Sequence, residues 1–160
     1  PYWWQYKSER QEMIIKIIFG SVVKFCQQRI TEYRGLGLST NMTFLNLDAH
    51  SNIHELQLVD YLGINGLSVT VEDKIHTINL GFTVTLAEDV NLLRHMDVVA
   101  RMYQELQPER QLTYYDAEAA EALSWMVITD GTYLAPVSRD ELRAFQMISV
   151  TMLLNPNSGS

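Results

Sequence analysis

A long stretch of strict alternation, residues 75–86, constrains the fold more than any other part of the sequence. Every second position is a large side chain, and all of them are apolar except the first, which is a histidine: His76, Ile78, Leu80, Phe82, Val84 and Leu86. Thr, Asn or Gly fill the positions between them. A period of two places alternate side chains on opposite faces of a β-strand, and a helix does not keep that period. The stretch therefore predicts a central strand with one face on a core.

Two amphipathic helices are predicted to cover that apolar face. The first begins at Ser8, a suitable N-cap, and runs to about Glu32. The second opens at Glu88 and Asp89, since acidic residues suit a helix N-terminus, and Pro108 ends it. Its apolar positions follow helical spacing: Leu92, Met96, Val99, Tyr103 and Leu106.

The remaining segments predict further strands and turns. Residues 42–47 are a candidate strand, whereas 53–62 show mixed periodicity and are left open. Asn65-Gly66 predicts a turn, and residues 67–71 predict a strand that forms a hairpin with 75–86. Three later stretches have strand patterns, and one Ala-rich stretch has a helical pattern capped by Asp116: strands at 125–128, 132–136 and 145–154, and a short helix at 117–123.

This order predicts an α+β fold, an antiparallel or mixed sheet with a long helix and shorter helices packed mainly on one face. We expect one domain at 8–154, preceded by an aromatic N-terminal arm at 1–7 and followed by a flexible polar tail at 155–160. The arm contains four large aromatic residues, which are unfavourable to expose at a terminus. We expect them to form an interface, docked either on their own domain or on another molecule: Tyr2, Trp3, Trp4 and Tyr6.

The charge distribution argues against a general nucleic-acid binder. The 160-residue chain has a net charge of −7, whereas nucleic-acid affinity comes from Lys and Arg on phosphates. Residues 1–34 contain six basic and three acidic residues, a net charge of +3, which leaves −10 for the rest. The apolar run 13–26 is short for a bilayer span and contains Lys16 and Lys24, which argues against membrane insertion.

Candidate chemical groups are few, and we expect no catalytic, cofactor-binding or metal-binding residues. The single cysteine, Cys26, lies in an apolar helical pattern, which is typical of a buried thiol. His76 and His95 are isolated histidines without a recognisable acid–base partner in the sequence. One polar segment has metal-ligand residue types but lacks the glutamate next to the first histidine that a zinc-protease motif requires: Asp48, His50, His54 and Glu55.

The order of elements over residues 8–154 resembles that of tail terminator and neck proteins of tailed bacteriophages. In that family a helix precedes a hairpin, a second long helix crosses the sheet, and terminal strands complete it. The resemblance implies a virion structural protein, made in the host cytoplasm, that forms a ring, commonly hexameric, joining the tail tube to the head connector. Its implied partners are copies of itself and other tail or neck proteins, with no sequence-specific nucleic acid.

Two alternatives remain open at the level of sequence. One is a small α+β ligand-binding domain or enzyme that uses a pocket histidine, His76 or His95. The other is a peripheral membrane-surface protein, in which Trp3, Trp4 and the basic first helix lie at a lipid interface.

Overall fold

A computed structural model describes the backbone of residues 3–49, 60–87, 89, 91–140 and 142–157, with side chains of the first helix from Glu12 onward. The described residues form two α-helices, a short 3-10 segment at Leu47–Ala49 and eight strands. Their bounds are α1 Trp3–Gly35, β1 Thr43–Asn46, β2 Tyr61–Glu72, β3 Ile75–Ala87, α2 Leu93–Glu105, β4 Gln111–Asp116, β5 Glu121–Ile128, β6 Tyr133–Leu134, β7 Ser138–Arg139 and β8 Arg143–Leu154.

The strands form one mixed, curled sheet in the order β1-β2-β3-β8-β5-β4, and β6 and β7 also pair with β8. The parallel pair is β1 with β2, and the other pairs are antiparallel. β3 lies in the middle and pairs with β8 over twelve residues, from His76 opposite Leu154 to Ala87 opposite Arg143. The α+β prediction and the central position of β3 are therefore confirmed.

Both helices pack on the apolar face of β3, as the alternation predicts. Every residue of the predicted apolar face, from His76 to Leu86, is buried. The Phe25 ring of α1 meets the Phe82 ring of β3 edge to face, with centroids 5.7 Å apart. The Tyr33 hydroxyl of α1 donates to the sulfur of Met102 on α2 at 3.5 Å, which joins the two helices within the same core.

Helix α1 is longer than predicted at both ends, because it begins earlier and ends later than expected. It starts at Trp3 instead of Ser8, so the described part of the predicted arm is helical backbone, and it continues to Gly35. Gly37 then adopts a φ of +75°, and the Leu38 amide donates to the Tyr33 carbonyl at 2.9 Å, which closes the helix end. Among the described helices, none has a stretch long and apolar enough to span a bilayer.

Helix α2 is shorter than predicted, and its buried face is rotated. It begins at Leu93, five residues after Glu88, where the helix was expected to open, and the Asp89 carboxylate accepts the His95 backbone amide at 2.6 Å. Met96 is exposed, whereas His95 and Met102 are buried. The prediction was wrong at these positions because His95 and Met102 each find a hydrogen-bond partner in the core, Gln146 and Tyr33 respectively.

The predicted turn at Asn65-Gly66 is instead a bulge within β2. The register with β3 shifts between Asn65 and Ser68, and Gly66 has a φ of +66°. Both carboxylate oxygens of Asp48 accept the Gly66 amide, at 2.9 and 3.1 Å. A side chain from the preceding 3-10 segment therefore stabilises an amide within the bulge.

The predicted short helix at 117–123 is also wrong, because this stretch is the turn of a β-hairpin and the start of β5. The Asp116 side chain accepts the amides of Glu118 and Ala119 at 3.0 and 3.3 Å, and Ala120 adopts a φ of +52°. An aspartate that bonds to amides two and three residues ahead stabilises a turn as readily as a helix start. The left-handed Ala120 then reverses the chain.

The last strands lie close to their predicted positions. β8 covers the stretch predicted at 145–154, and β6 lies within 132–136. Ile148, Val150 and Met152 are buried, as expected. Of the predicted tail, residues 155–157 are described, and the Asn155 carbonyl accepts the Ser124 hydroxyl at 3.1 Å.

Candidate functional site

His95 lies fully buried on α2 and connects that helix to the sheet. Its Nε2 is 3.1 Å from Oε1 of Gln146 on β8, and Gln146 donates its own amide to the Ala135 carbonyl at 2.8 Å. Burial lowers the pKa of His95 below its ordinary 6.5, while the Gln146 bond and the Asp89 charge act to raise it. A neutral imidazole that donates from Nε2 satisfies this geometry, so His95 holds α2 against β8.

His76 lies at the end of β3 that is next to the β2–β3 turn, and its side chain is 3% exposed. It is paired in register with Val71 and Leu154, and neither ring nitrogen has a hydrogen-bond partner among the described residues. Burial lowers the pKa of His76. No described carboxylate approaches its ring nitrogens, so the geometry gives it no acid–base partner among these residues.

The polar segment with metal-ligand residue types is only partly described. Asp48 uses both carboxylate oxygens on the Gly66 amide, while His50, His54 and Glu55 lie outside the described residues. Within the described part of the chain, no three His, Cys, Asp or Glu side chains group as metal ligands would. Cys26 is fully buried in α1, and burial raises the pKa of its thiol, which keeps it protonated and unreactive.

An ion pair between the buried Asp60 and the partly exposed Arg94 is the centre of a polar cluster, and the sequence did not predict it. Asp60 precedes β2 with 5% of its side chain exposed, and its Oδ2 accepts Arg94 Nη1 at 2.5 Å and the Ser39 hydroxyl at 2.5 Å. Its Oδ1 accepts the Ala87 amide at 2.9 Å. Arg94 also donates to the carbonyls of Leu38 and Ala87, at 3.1 and 2.7 Å.

This cluster joins four segments: the loop after α1, the start of β2, the end of β3 and the first turn of α2. It lines a polar cavity of about 310 Å³. Both Asp60 oxygens and both Arg94 terminal nitrogens already have partners, so the pair serves as a structural connection rather than as a free acid, base or anion site. Nothing in the sequence links two residues 34 positions apart, because their contact depends on the tertiary fold.

We call the sheet face opposite α1 and α2 the helix-free face, and its coverage and polarity change along β8. At one end it is covered, where Leu47, Pro136 and Phe145 line a cavity of about 400 Å³ beside Thr83. Around Thr151 this face is open and polar, and the Thr151 hydroxyl donates to Asn79 Oδ1 at 2.6 Å across β8 and β3. A second cavity of about 320 Å³ lies over this open region.

Large apolar side chains are exposed on both sides of the sheet. On the helix-free face, Trp125 of β5 is 51% exposed and Leu153 of β8 is 41% exposed. On the helix side, the first half of α1 exposes Met13, Ile15 and Phe19, by 54%, 49% and 36%. Contiguous exposed apolar groups are typical of protein or membrane contact surfaces.

The predicted aromatic interface lies at the start of α1. Trp3, Trp4 and Tyr6 belong to the helix by their backbone, whereas Tyr2 and the side chains of all four lie outside the described residues. Their role as interface residues stays a prediction. Trp4 lies eleven residues before Ile15, the spacing of about three helical turns.

Neither the family models nor the curated proteins include one that matches this chain.

Proposed function

We propose that this chain is a virion structural protein, a ring-forming tail terminator or neck component that joins the tail tube to the head connector of a tailed bacteriophage. The observation that supports this most is the presence of exposed apolar surfaces on both sides of the sheet, on α1 and around Trp125. A subunit in a closed ring needs two different surfaces, one for each neighbour.

The charge distribution supports the same proposal. Residues 1–34, nearly all of them in α1, have a net charge of +3, and the rest of the chain has −10. Opposite charge on two parts of one subunit favours contact between neighbouring copies and opposes contact between like parts.

The element order is consistent with the resemblance. α1 precedes the β2–β3 hairpin, α2 packs across β3 and β8, and the terminal strands complete the sheet. α2 has 13 residues, so it is shorter than the second long helix that the resemblance implies. The proposed partners are copies of this chain and other tail or neck proteins, the proposed location is the virion, and the proposed site of synthesis is the host cytoplasm.

The experiment that tests this proposal is to measure the mass of the purified full chain in solution and to image it by negative-stain electron microscopy. We expect closed rings with a central channel. Particles that remain monomeric at high protein concentration, or that form open filaments, would contradict the proposal. Flotation of the same monomer with anionic lipid vesicles would favour the membrane-surface alternative instead.

A further inference from the structure

An apolar patch lies at the open end of the helix-free sheet face, and we call Trp125, Val127 and Leu153 the sheet patch. Val127 and Leu153 are directly opposite each other in the β5–β8 ladder. Trp125 precedes Val127 by two residues, which places both side chains on the same face. The intervening Met126 is buried in the core on the other face. The three side chains of the patch therefore point away from both helices.

Neutral residues flank the sheet patch. Thr77 of β3 is opposite Leu153, and Thr113 of β4 is opposite Trp125. Threonine offers a methyl group and a hydroxyl but no charge, so an apolar surface can approach without removing an ion from water. Aromatic residues at the centre of such patches contribute most to protein–protein binding.

The second surface lies on α1, and we call Ile15 and Phe19 the helix stripe. The two residues are four apart and therefore lie on one face in successive turns, and the half-buried Val23 continues the row. Lys16 lies beside the stripe with 74% of its side chain exposed. Its ion pair with Glu12, at 3.4 Å, is also largely exposed, so Lys16 can exchange that partner at little cost.

The charges near the two surfaces are complementary. The turn that leads into β5 contains Asp116, Glu118 and Glu121, and residues 116–124 contain no basic residue. Glu121 precedes Trp125 by four residues on the same strand, about 13 Å at the rise of a β-strand. A helix stripe placed on the sheet patch can be oriented so that Lys16 faces this acidic turn, whereas two α1 helices placed together would bring like net charges into contact.

We propose that the helix stripe of one copy docks on the sheet patch of the next copy of the same chain. The stripe and the patch lie on opposite sides of the sheet, so they do not meet within one molecule, and each copy keeps one free surface for a further neighbour. Such head-to-tail contacts generate rings when the rotation closes. This inference rests on the proposed ring function and names the contact that would build it.

The test uses two full-length variants that each lack one surface. The helix variant carries Ile15→Ser and Phe19→Ser, and the sheet variant carries Trp125→Thr. All three side chains are at least 36% exposed, so the folded subunit should survive, which far-UV circular dichroism and thermal unfolding will check. Analytical ultracentrifugation of each variant should then show association weakened by about tenfold or more, as for truncation of a central interface residue.

Mixing the two variants is the decisive measurement. The helix variant keeps its sheet patch and the sheet variant keeps its helix stripe, so an equimolar mixture should form heterodimers that do not grow further. Matched controls remove exposed apolar groups elsewhere: Tyr133→Thr on β6, where the tyrosine is 56% exposed, and Leu36→Ser after α1, where the leucine is 51% exposed. Both controls should retain the wild-type mass.

The outcomes separate this inference from the proposed function. If the helix and sheet variants both assemble like wild type, the docking proposal is overturned while a ring built through other surfaces stands. A mixture that stays monomeric also overturns the docking proposal, because the two intact surfaces then do not bind each other. Wild-type filaments that both variants dissolve would support the docking and contradict the ring. A wild-type chain that is monomeric at every concentration overturns both.

Discussion

Removal of Arg94 should destabilise the protein by about 3 kcal/mol, because it leaves the Asp60 carboxylate buried without its counter-charge. Truncating one partner of a buried ion pair typically costs about 3–5 kcal/mol. The lower end of that range applies to Arg94→Leu for two reasons. The arginine side chain is itself 31% exposed, and the Ser39 hydroxyl and Ala87 amide continue to donate to Asp60.

Equilibrium unfolding in urea measures this loss. With a slope of about 2 kcal/mol per molar urea for a domain of this size, a loss of 3 kcal/mol lowers the unfolding midpoint by about 1.5 M. The matched control is Arg101→Leu on the same helix. Arg101 pairs with Asp97 at 3.0 Å, but both side chains are more than 40% exposed, so this change should cost less than about 0.5 kcal/mol.

A second substitution tests the reason for the loss. Asp60→Asn in the Arg94→Leu background removes the unpaired charge while keeping an oxygen for the Ala87 amide. We expect the double variant to recover about 1 kcal/mol relative to Arg94→Leu alone. The reasoning is refuted if Arg94→Leu is no more destabilising than Arg101→Leu, or if the double variant is less stable than Arg94→Leu.

Three further predictions concern the stability of the folded chain. Gly63→Ala should lower the free energy of unfolding by about 1–3 kcal/mol, since a Cβ there would lie 2.9 Å from a backbone carbonyl oxygen of β1. Gly20→Ala in α1 meets nothing within 4 Å and should instead stabilise by about 0.5–1 kcal/mol; equal effects of the two changes would contradict the argument. Lys74→Gly should raise Tm by about 2–4 °C, because Lys74 has a φ of +68° in the β2–β3 turn, and an unchanged or lower Tm would count against this. Burial lowers the pKa of His76 and His95 below 6.5, so the unfolded state binds more protons below that pH. Stability should therefore fall as pH decreases below about 6.5, with a slope of up to about 1.4 kcal/mol per pH unit for each histidine. His76→Leu should reduce that slope, and a slope equal to that of the wild type would show that His76 does not contribute.

The sequence predicted the parts of the fold whose signal is periodic and local. The alternation at 75–86 identified the central strand and its buried face, because a period of two leaves few other structures open. The rotation of α2 was missed because His95 and Met102 are buried through specific partners on β8 and α1, which hydropathy along one helix does not reveal.

The wrong predictions of a turn at Asn65-Gly66 and of a helix after Asp116 have a common cause. At Asn65-Gly66 and at Asp116, the residues that typically form turns or helix caps occur at a bulge and a hairpin instead. Their local preference is satisfied in either structure, so the choice depends on pairing with distant strands. The Asp60–Arg94 pair was missed for the same reason, since its geometry exists only once four segments meet.

The two ends of the helix-free sheet face differ in how well they are covered, and this difference indicates that the apolar patch binds a partner. At the end of the ladder near Arg143, the helix-free face is covered, and Thr83 and Thr85 are 7% and 1% exposed. At the other end, the described part of the chain leaves Leu153 and Trp125 half-exposed. Threonine has a high β-propensity and is found next to them at positions 77 and 113. A threonine at position 125 or 153 would therefore suit the strand equally well. The exposed apolar surface of these two residues adds little to the stability of the isolated subunit. We expect it to stabilise a complex in which a second molecule covers it.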